Sequence, residues 1–215
     1  GRRLRNIDAH DIICKIGECV VAGGVRRTAM ISLSDLDDIE IRDAKKGQFF
    51  LTDPYRSVAN NSAVYETKPT NAELMDEWVA LMKSGTGERG IFNRGSLEKT
   101  MPERRLKFLQ KKHGKKNGFI GQMGTNPCGE ILLQSKEFCN LSEVIARADD
   151  TEKTLLKKAK LATLLGTYQS TLTNFNYISK EWKENCEAER LLGGSITGQW
   201  DSPAVRNAKT LRKMR

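Results

Sequence analysis

At 215 residues the chain is long enough to bury a sizeable core. Its 38% hydrophobic and 29% charged residues are the balance of a globular protein, with no apolar run near the ~20 residues that cross a bilayer. The net charge of +9 gathers between Arg104 and Lys116 and in the tail Arg206, Lys209, Arg212, Lys213 and Arg215. Phe108 is the lone aromatic beside these runs, so they read as solvated helix faces and argue against a nucleic-acid-binding module, the rival from another class. Five cysteines at irregular spacing, with two histidines and no Cys-x-x-Cys pair, argue against a secreted disulfide scaffold and a metal site and for a cytoplasmic protein. Neither a start methionine nor a signal peptide opens the sequence, and it stops at Arg215 inside a helical pattern. Both ends therefore read as truncated.

In chain order, residues 7–19 predict a helix. The Gly23-Gly24 turn leads into a strand over 28–33, and the acidic stretch 35–43 predicts a short helix. Thr70-Asn71-Ala72-Glu73 is a capping box. The helix behind it puts Leu74, Trp78, Leu81 and Met82 on one face, and Gly85 ends it. Gly90-Ile91-Phe92 predicts a short buried strand, 103–112 a charged surface helix, and 129–133 another strand. A long helix over 151–172 carries Leu155, Ala159, Ala162, Leu165, Tyr168 and Leu172 on its buried side. Ser179 caps a helix in which Trp182 and Cys186 stand four apart. Ser195-Ile196-Thr197-Gly198 reads as a strand end, and Ser202-Pro203 as the opening of a last helix. Strands alternating with helices predict an α/β fold, with sites at strand ends and in the loops after them. No repeat, low-complexity tract or Pro/Ser-rich linker divides the chain.

The segment richest in chemistry is Gly124-Thr125-Asn126-Pro127-Cys128-Gly129-Glu130-Ile131. In an extended backbone, alternate residues share a face, so Asn126, Cys128 and Glu130 would converge on one ligand. An amide to orient, a sulfur to react and a carboxylate to move a proton suit nucleophilic or one-electron chemistry. The competing reading is a buried cysteine packed as a small hydrophobe. Cys139 follows eleven residues later, a spacing that fits a hairpin return better than a metal pair. Cys14, Cys19 and Cys186 sit at helical spacing among apolar neighbours and read as core. Gly85-Thr86-Gly87 lacks the Gly-Lys-Ser/Thr ending of a phosphate cradle and reads as a helix-ending turn. Gly23, Gly24, Val25, Arg26, Arg27 and Thr28 form a loop whose glycines permit close backbone approach, with two arginines ready for phosphate or base contacts.

Asn126-Pro127-Cys128-Gly129-Glu130-Ile131 with Phe138-Cys139-Asn140-Leu141-Ser142 resembles the ribonucleotide reductases, specifically the adenosylcobalamin-dependent class. Four other segments match in the same order: residues 22–29, Ala59-Asn60-Asn61-Ser62-Ala63-Val64, Gly90-Ile91-Phe92-Asn93-Arg94, and Ser195-Ile196-Thr197-Gly198. The resemblance runs from about residue 7 to 205. It implies that 1–215 is a partial catalytic domain, a portion of a ten-stranded α/β barrel with Cys128 on a central loop. It implies the reduction of ribonucleoside triphosphates (or diphosphates) to 2′-deoxyribonucleotides for DNA synthesis. Cys128 falls on the thiyl-radical cysteine, Glu130 on the carboxylate that takes the 3′-hydroxyl proton, and Asn126 on the amide that hydrogen-bonds substrate. Cys139 falls on one of two redox cysteines, the other lying upstream of the matched region. The loop at Gly23 to Thr28 falls on the segment reporting effector identity to the substrate base, and Asn60, Asn61 and Ser62 become possible substrate contacts. Implied partners are a ribonucleotide, dNTP or ATP effectors and a thioredoxin-type reductant. Adenosylcobalamin is the implied cofactor, gripped mostly outside this chain, and the piece alone is expected to be inactive. The rival within the enzyme class is the large subunit of a di-iron-dependent reductase.

Overall fold

A computed structural model describes residues 1, 3–21, 28–114 and 118–215. Its contacts divide the chain into two compact units, Gly1–Gln134 and Ser135–Arg215, a division that no linker composition announces.

The first unit opens with helix α1 (Asn6–Val21) and strand β1 (Met30–Ser34). Short helices α2 (Ile39–Arg42) and α3 (Phe49–Thr52) and a 3-10 turn (Pro54–Val58) lead to β2 (Ala59–Val64). Helix α4 (Asn71–Ser84) connects β2 to β3 (Arg89–Phe92). The three strands lie side by side in the order β1-β2-β3, all parallel. Parallel neighbours cannot be joined by a tight turn, so a long connection crosses between each pair. Helices α5 (Leu97–Thr100) and α6 (Glu103–His113) follow, then strands β4 (Gly124–Thr125) and β5 (Leu132–Leu133), which pair antiparallel as a hairpin. A core of Leu97, Met101, Leu109, Phe119 and Met123, with Leu132 packed against it, holds the base of that hairpin.

The second unit pairs β6 (Asn140–Ile145) with β7 (Leu192–Thr197) in parallel over six residues each. Helices α7 (Glu152–Gln169) and α8 (Lys180–Glu189) lie between these strands in sequence, and α9 (Ala208–Met214) comes after them. Its core is Ala146, Leu155 and Val205. Asp150 anchors the start of α7: hydrogen bonds from Lys158, Thr154 and the Arg147 amide hold its carboxyl down at about 2. Gly198 stands at φ +79°, and a Cβ there would lie 2.2 Å from the Ala146 carbonyl oxygen. The left-handed backbone and the clash act together, so Gly198→Ala should destabilise the protein by about 3 kcal/mol. Urea unfolding followed by tryptophan fluorescence checks this, and an unmoved midpoint would refute it.

The α/β class expected from the sequence is what the structure has. The capping box of α4 forms as read, with Thr70 and Glu73 bonding reciprocally and Gly85 ending the helix at φ +70°. Its inward face is a correction, because Trp78 and Met82 are exposed and the buried position is Glu77, paired with Arg89. Along α7 the buried positions are Leu155, Ala162 and Gly166, while Leu165 and Tyr168 lie exposed, as does Leu172 beyond the helix end at Gln169. The Leu192 side chain packs directly against Gly166, where a Cβ would stand 2.1 Å from it. Cys14 and Cys186 are buried as expected, but Cys19 is exposed. The last helix starts at Ala208 under an Asn207 cap rather than at Ser202-Pro203. None of the described helices is long and apolar enough to cross a membrane.

Candidate active site

Cys128 stands at the tip of the β4–β5 hairpin. The segment carrying it turns instead of running extended. The Gly129 amide donates to the Asn126 carbonyl at 2.9 Å, closing a β-turn with Pro127 and Cys128 at its centre. Proline presets the backbone of the second position, and Gly129 supplies the φ of +83° that the exit requires. The Asn126 side chain completes the loop, its Oδ1 accepting from the Ile131 amide at 3.1 Å. The backbone from Asn126 to Glu130 is therefore a turn and not the extended run on which the alternate-residue expectation rested. The backbone needs these bonds because β4 and β5 provide only two residue pairs between them.

The hairpin packs on the parallel sheet, with Gly124 against the side chain of Leu33. Between tip and sheet lies a cavity of about 450 Å³, within the roughly 300–1,000 Å³ of small-molecule sites. Asn60, Ser62 and Gly90 line it from β2 and β3, and Pro127, Cys128 and Gly129 from the turn. Asn126 and Glu130 are not in its lining. Cys128 and Glu130 are exposed, and Asn126 is half-buried. Gly90 admits the Ser62 side chain, since a Cβ at 90 would stand 2.7 Å from the Ser62 hydroxyl. The structure thus brings Cys128 together with Asn60, Asn61 and Ser62. Cys139 is half-buried in the other unit. Gly23, Gly24, Val25, Arg26 and Arg27 lie outside the described residues. Thr28 is described, and its methyl group faces Gly17 of α1.

Sequence reasoning missed what stands behind β2. Asn61, also part of the cavity wall, is itself buried, and its Oδ1 accepts from His10 Nε2 at 3.2 Å. His10 and Cys14 are buried one helical turn apart on α1, and burial pushes the Cys14 thiol up to about 11. The next residue, Asp11, takes a two-pronged ion pair from Arg56 at 2.6 and 2.7 Å. Burial raises the Asp11 carboxyl, but the hydrogen bonds and charge of Arg56 lead the effects that outweigh it and hold the group below the usual range. Lys45 is buried too, donating to the Ala59 carbonyl at 2.6 Å. The His10–Asn61 and Asp11–Arg56 partners are 51 and 45 residues apart in sequence, and no local pattern signals them. Arg89, on the cavity wall, pairs with buried Glu77 and also reaches Ser34.

Comparison with curated proteins finds relatives along most of the chain. It is 34% identical over 203 residues to the adenosylcobalamin-dependent ribonucleoside-triphosphate reductase of Lacticaseibacillus paracasei. The enzymes of the same name from Lactobacillus gasseri and Lactobacillus delbrueckii subsp. bulgaricus are 32% identical over 206 residues and 31% over 207. Each match takes in 94% of this chain and 25% of the relative. The chain is homologous to adenosylcobalamin-dependent ribonucleotide reductases. It spans about a quarter of the length of the curated reductases it matches. No protein-family model matches it. Within this reductase homologue, the hairpin tip with Cys128 and the polar face of β2 are the parts of the described structure that meet at one cavity.

Proposed function

We propose that this chain is the radical-thiol portion of a ribonucleotide reductase, reducing ribonucleoside triphosphates (or diphosphates) to 2′-deoxyribonucleotides. The observation that carries the reading is Cys128, exposed on a hairpin tip and opening on a nucleotide-sized polar cavity. The surrounding architecture in this reading is a ten-stranded α/β barrel, of which the β1-β2-β3 sheet is one arc and the hairpin the central loop.

The Cys128 sulfur, as a radical, takes the hydrogen atom from ribose C3′: the C–H bond breaks and an S–H bond forms. Sulfur suits this step because the two bonds are close in strength and the transfer reverses. Glu130 accepts the 3′-hydroxyl proton as the 2′-hydroxyl leaves as water. Its carboxylate has no partner among the described residues and is free to swing toward the cavity. Asn126, with its Oδ1 engaged by Ile131, keeps its NH₂ group to donate to substrate. Two thiols, Cys139 and a second cysteine outside the described match, supply two electrons and end as a disulfide, which a thioredoxin-type reductant resets. The hydrogen returned to C3′ restores the Cys128 radical, so substrate and dithiol become deoxynucleotide, water and disulfide.

A cavity of about 450 Å³ fits a nucleotide and is too small for a corrinoid as well, so no described residue is assigned to grip adenosylcobalamin. When bound, that cofactor would supply the one-electron oxidation of the thiol. Residues 23–28 would contact dNTP or ATP effectors.

The test mixes the intact protein anaerobically with adenosylcobalamin, a ribonucleoside triphosphate and a dithiol. Loss of the cobalt–carbon absorption together with a deoxynucleotide product is expected. No cleavage of that bond would overturn the cobalamin reading in favour of the di-iron class. The 215-residue chain by itself is expected to give no turnover.

A further inference from the structure

The contact that fixes the reactive tip from outside its own turn comes from β2. Asn60 Nδ2 donates to the Pro127 carbonyl oxygen at 2.7 Å, across 67 residues of sequence. That carbonyl belongs to the peptide plane joining Pro127 to Cys128. Holding it sets the rotation of the plane and with it the direction in which the Cys128 Cα–Cβ bond leaves the backbone. The other bonds at the tip, Gly129 to Asn126 and Ile131 to Asn126, shape the turn but do not tie it to the sheet.

Asn60 is itself rigidly mounted. On one side, the Ala59 carbonyl takes the ammonium of buried Lys45 at 2.6 Å. On the other, Asn61 takes His10 at 3.2 Å. The 3-10 turn just ahead of β2 is held by the Arg56–Asp11 pair. Residues i−1 and i+1 are thus pinned from behind by buried groups while Asn60 faces forward. A side chain held in this way supports a catalytic group at low entropic cost, because little rearranges on binding.

We propose that Asn60 is a positioning residue for the Cys128 thiol, and that His10 and Lys45 are the mount that keeps it in register. This rests on Cys128 being the reacting group, but the positional claim has its own readout. In the intact protein, the iodoacetamide rate of Cys128 is measured by peptide mass spectrometry, with exposed Cys19 as internal reference. Asn60→Asp keeps the shape and removes the donor, setting a carboxylate oxygen against the Pro127 carbonyl.

The Cys128-to-Cys19 rate ratio should change at least about threefold. The kcat should fall about 10- to 100-fold with KM within about twofold, as expected when a reacting group is misplaced by about an ångström. His10→Leu should move the ratio in the same direction, and His10→Gln, which can still donate to Asn61, should restore it. An unchanged ratio with a raised KM would overturn the proposal and make Asn60 a substrate contact. An unchanged ratio with unchanged kinetics would overturn it as well. A changed ratio in a protein that never reduces nucleotides would support the positioning role while removing the reductase reading.

Discussion

On the proposed reductase reading, replacing Cys128 by serine in the intact protein is expected to lower nucleotide reduction by at least about 10³-fold, about 4 kcal/mol of added barrier, while leaving the fold unchanged. The two halves of that expectation come from different properties of the residue. Its side chain is exposed at a turn and packs into neither core cluster of the first unit, so an isosteric hydroxyl removes no buried contact. The chemistry is another matter. An alcohol O–H bond is much stronger than the ribose C–H bond, so forming the oxygen radical is uphill before any substrate reacts. Deoxynucleotide formation at saturating substrate measures the first half and urea unfolding the second. Residual turnover within about tenfold of the parent would remove Cys128 from the reaction, whatever the homology implies.

The second large effect concerns stability. Glu77 and Arg89 form an ion pair whose side chains are 4% and 5% exposed, and Arg89 Nη2 is buried without a hydrogen-bond partner among the described residues. Glu77→Ala would strand that guanidinium with a single long contact to Ser34, 3.4 Å away. Removing one partner of a buried pair costs about 3–5 kcal/mol because the remaining charge loses its compensation. Replacing both, as Glu77→Leu with Arg89→Met, should recover most of the loss. Glu103→Ala, which breaks a pair 79% and 71% exposed, should move the unfolding midpoint by no more than about 0.5 kcal/mol. If Glu77→Ala behaves like Glu103→Ala, the pair is not the structural clamp described here.

The elements that declared themselves in the sequence are those built from local rules. The α4 capping box is a four-residue device, and both its bonds form. The helix over 7–19 is α1, and the strand end at Ser195 is β7, six residues long. Where a partner far along the chain decides the outcome, the pattern misleads. The hydrophobic period of α4 points Trp78 inward, but Arg89, brought alongside by β3, claims the inward position for Glu77. The strand β2 carries two asparagines and a serine and has no apolar alternation to betray it. It is a strand because β1 and β3 flank it on both edges. The candidate site divides along the same line. Cys128 stood out in the sequence as the candidate thiol, and it lines the cavity. Its backbone conformation did not stand out, because Pro127 and Gly129 make a turn of what alternation treats as extended. The Asn60 bridge to Pro127 joins two segments that nothing in the sequence pairs.

The parallel pairing of β1, β2 and β3 also governs when the pocket can come into being as the chain folds. Met30 meets Ala59, and Asn61 meets Arg89, so each pairing closes a loop of about 30 residues before any ladder bond rewards it. Such non-local closures slow folding relative to helical bundles of the same size. The hairpin tip, by contrast, needs only eight neighbouring residues, from Gly124 to Ile131, and can form early. The thiol would then emerge before the floor it faces, and the Cys128 sulfur would spend the early stage of folding unsheltered.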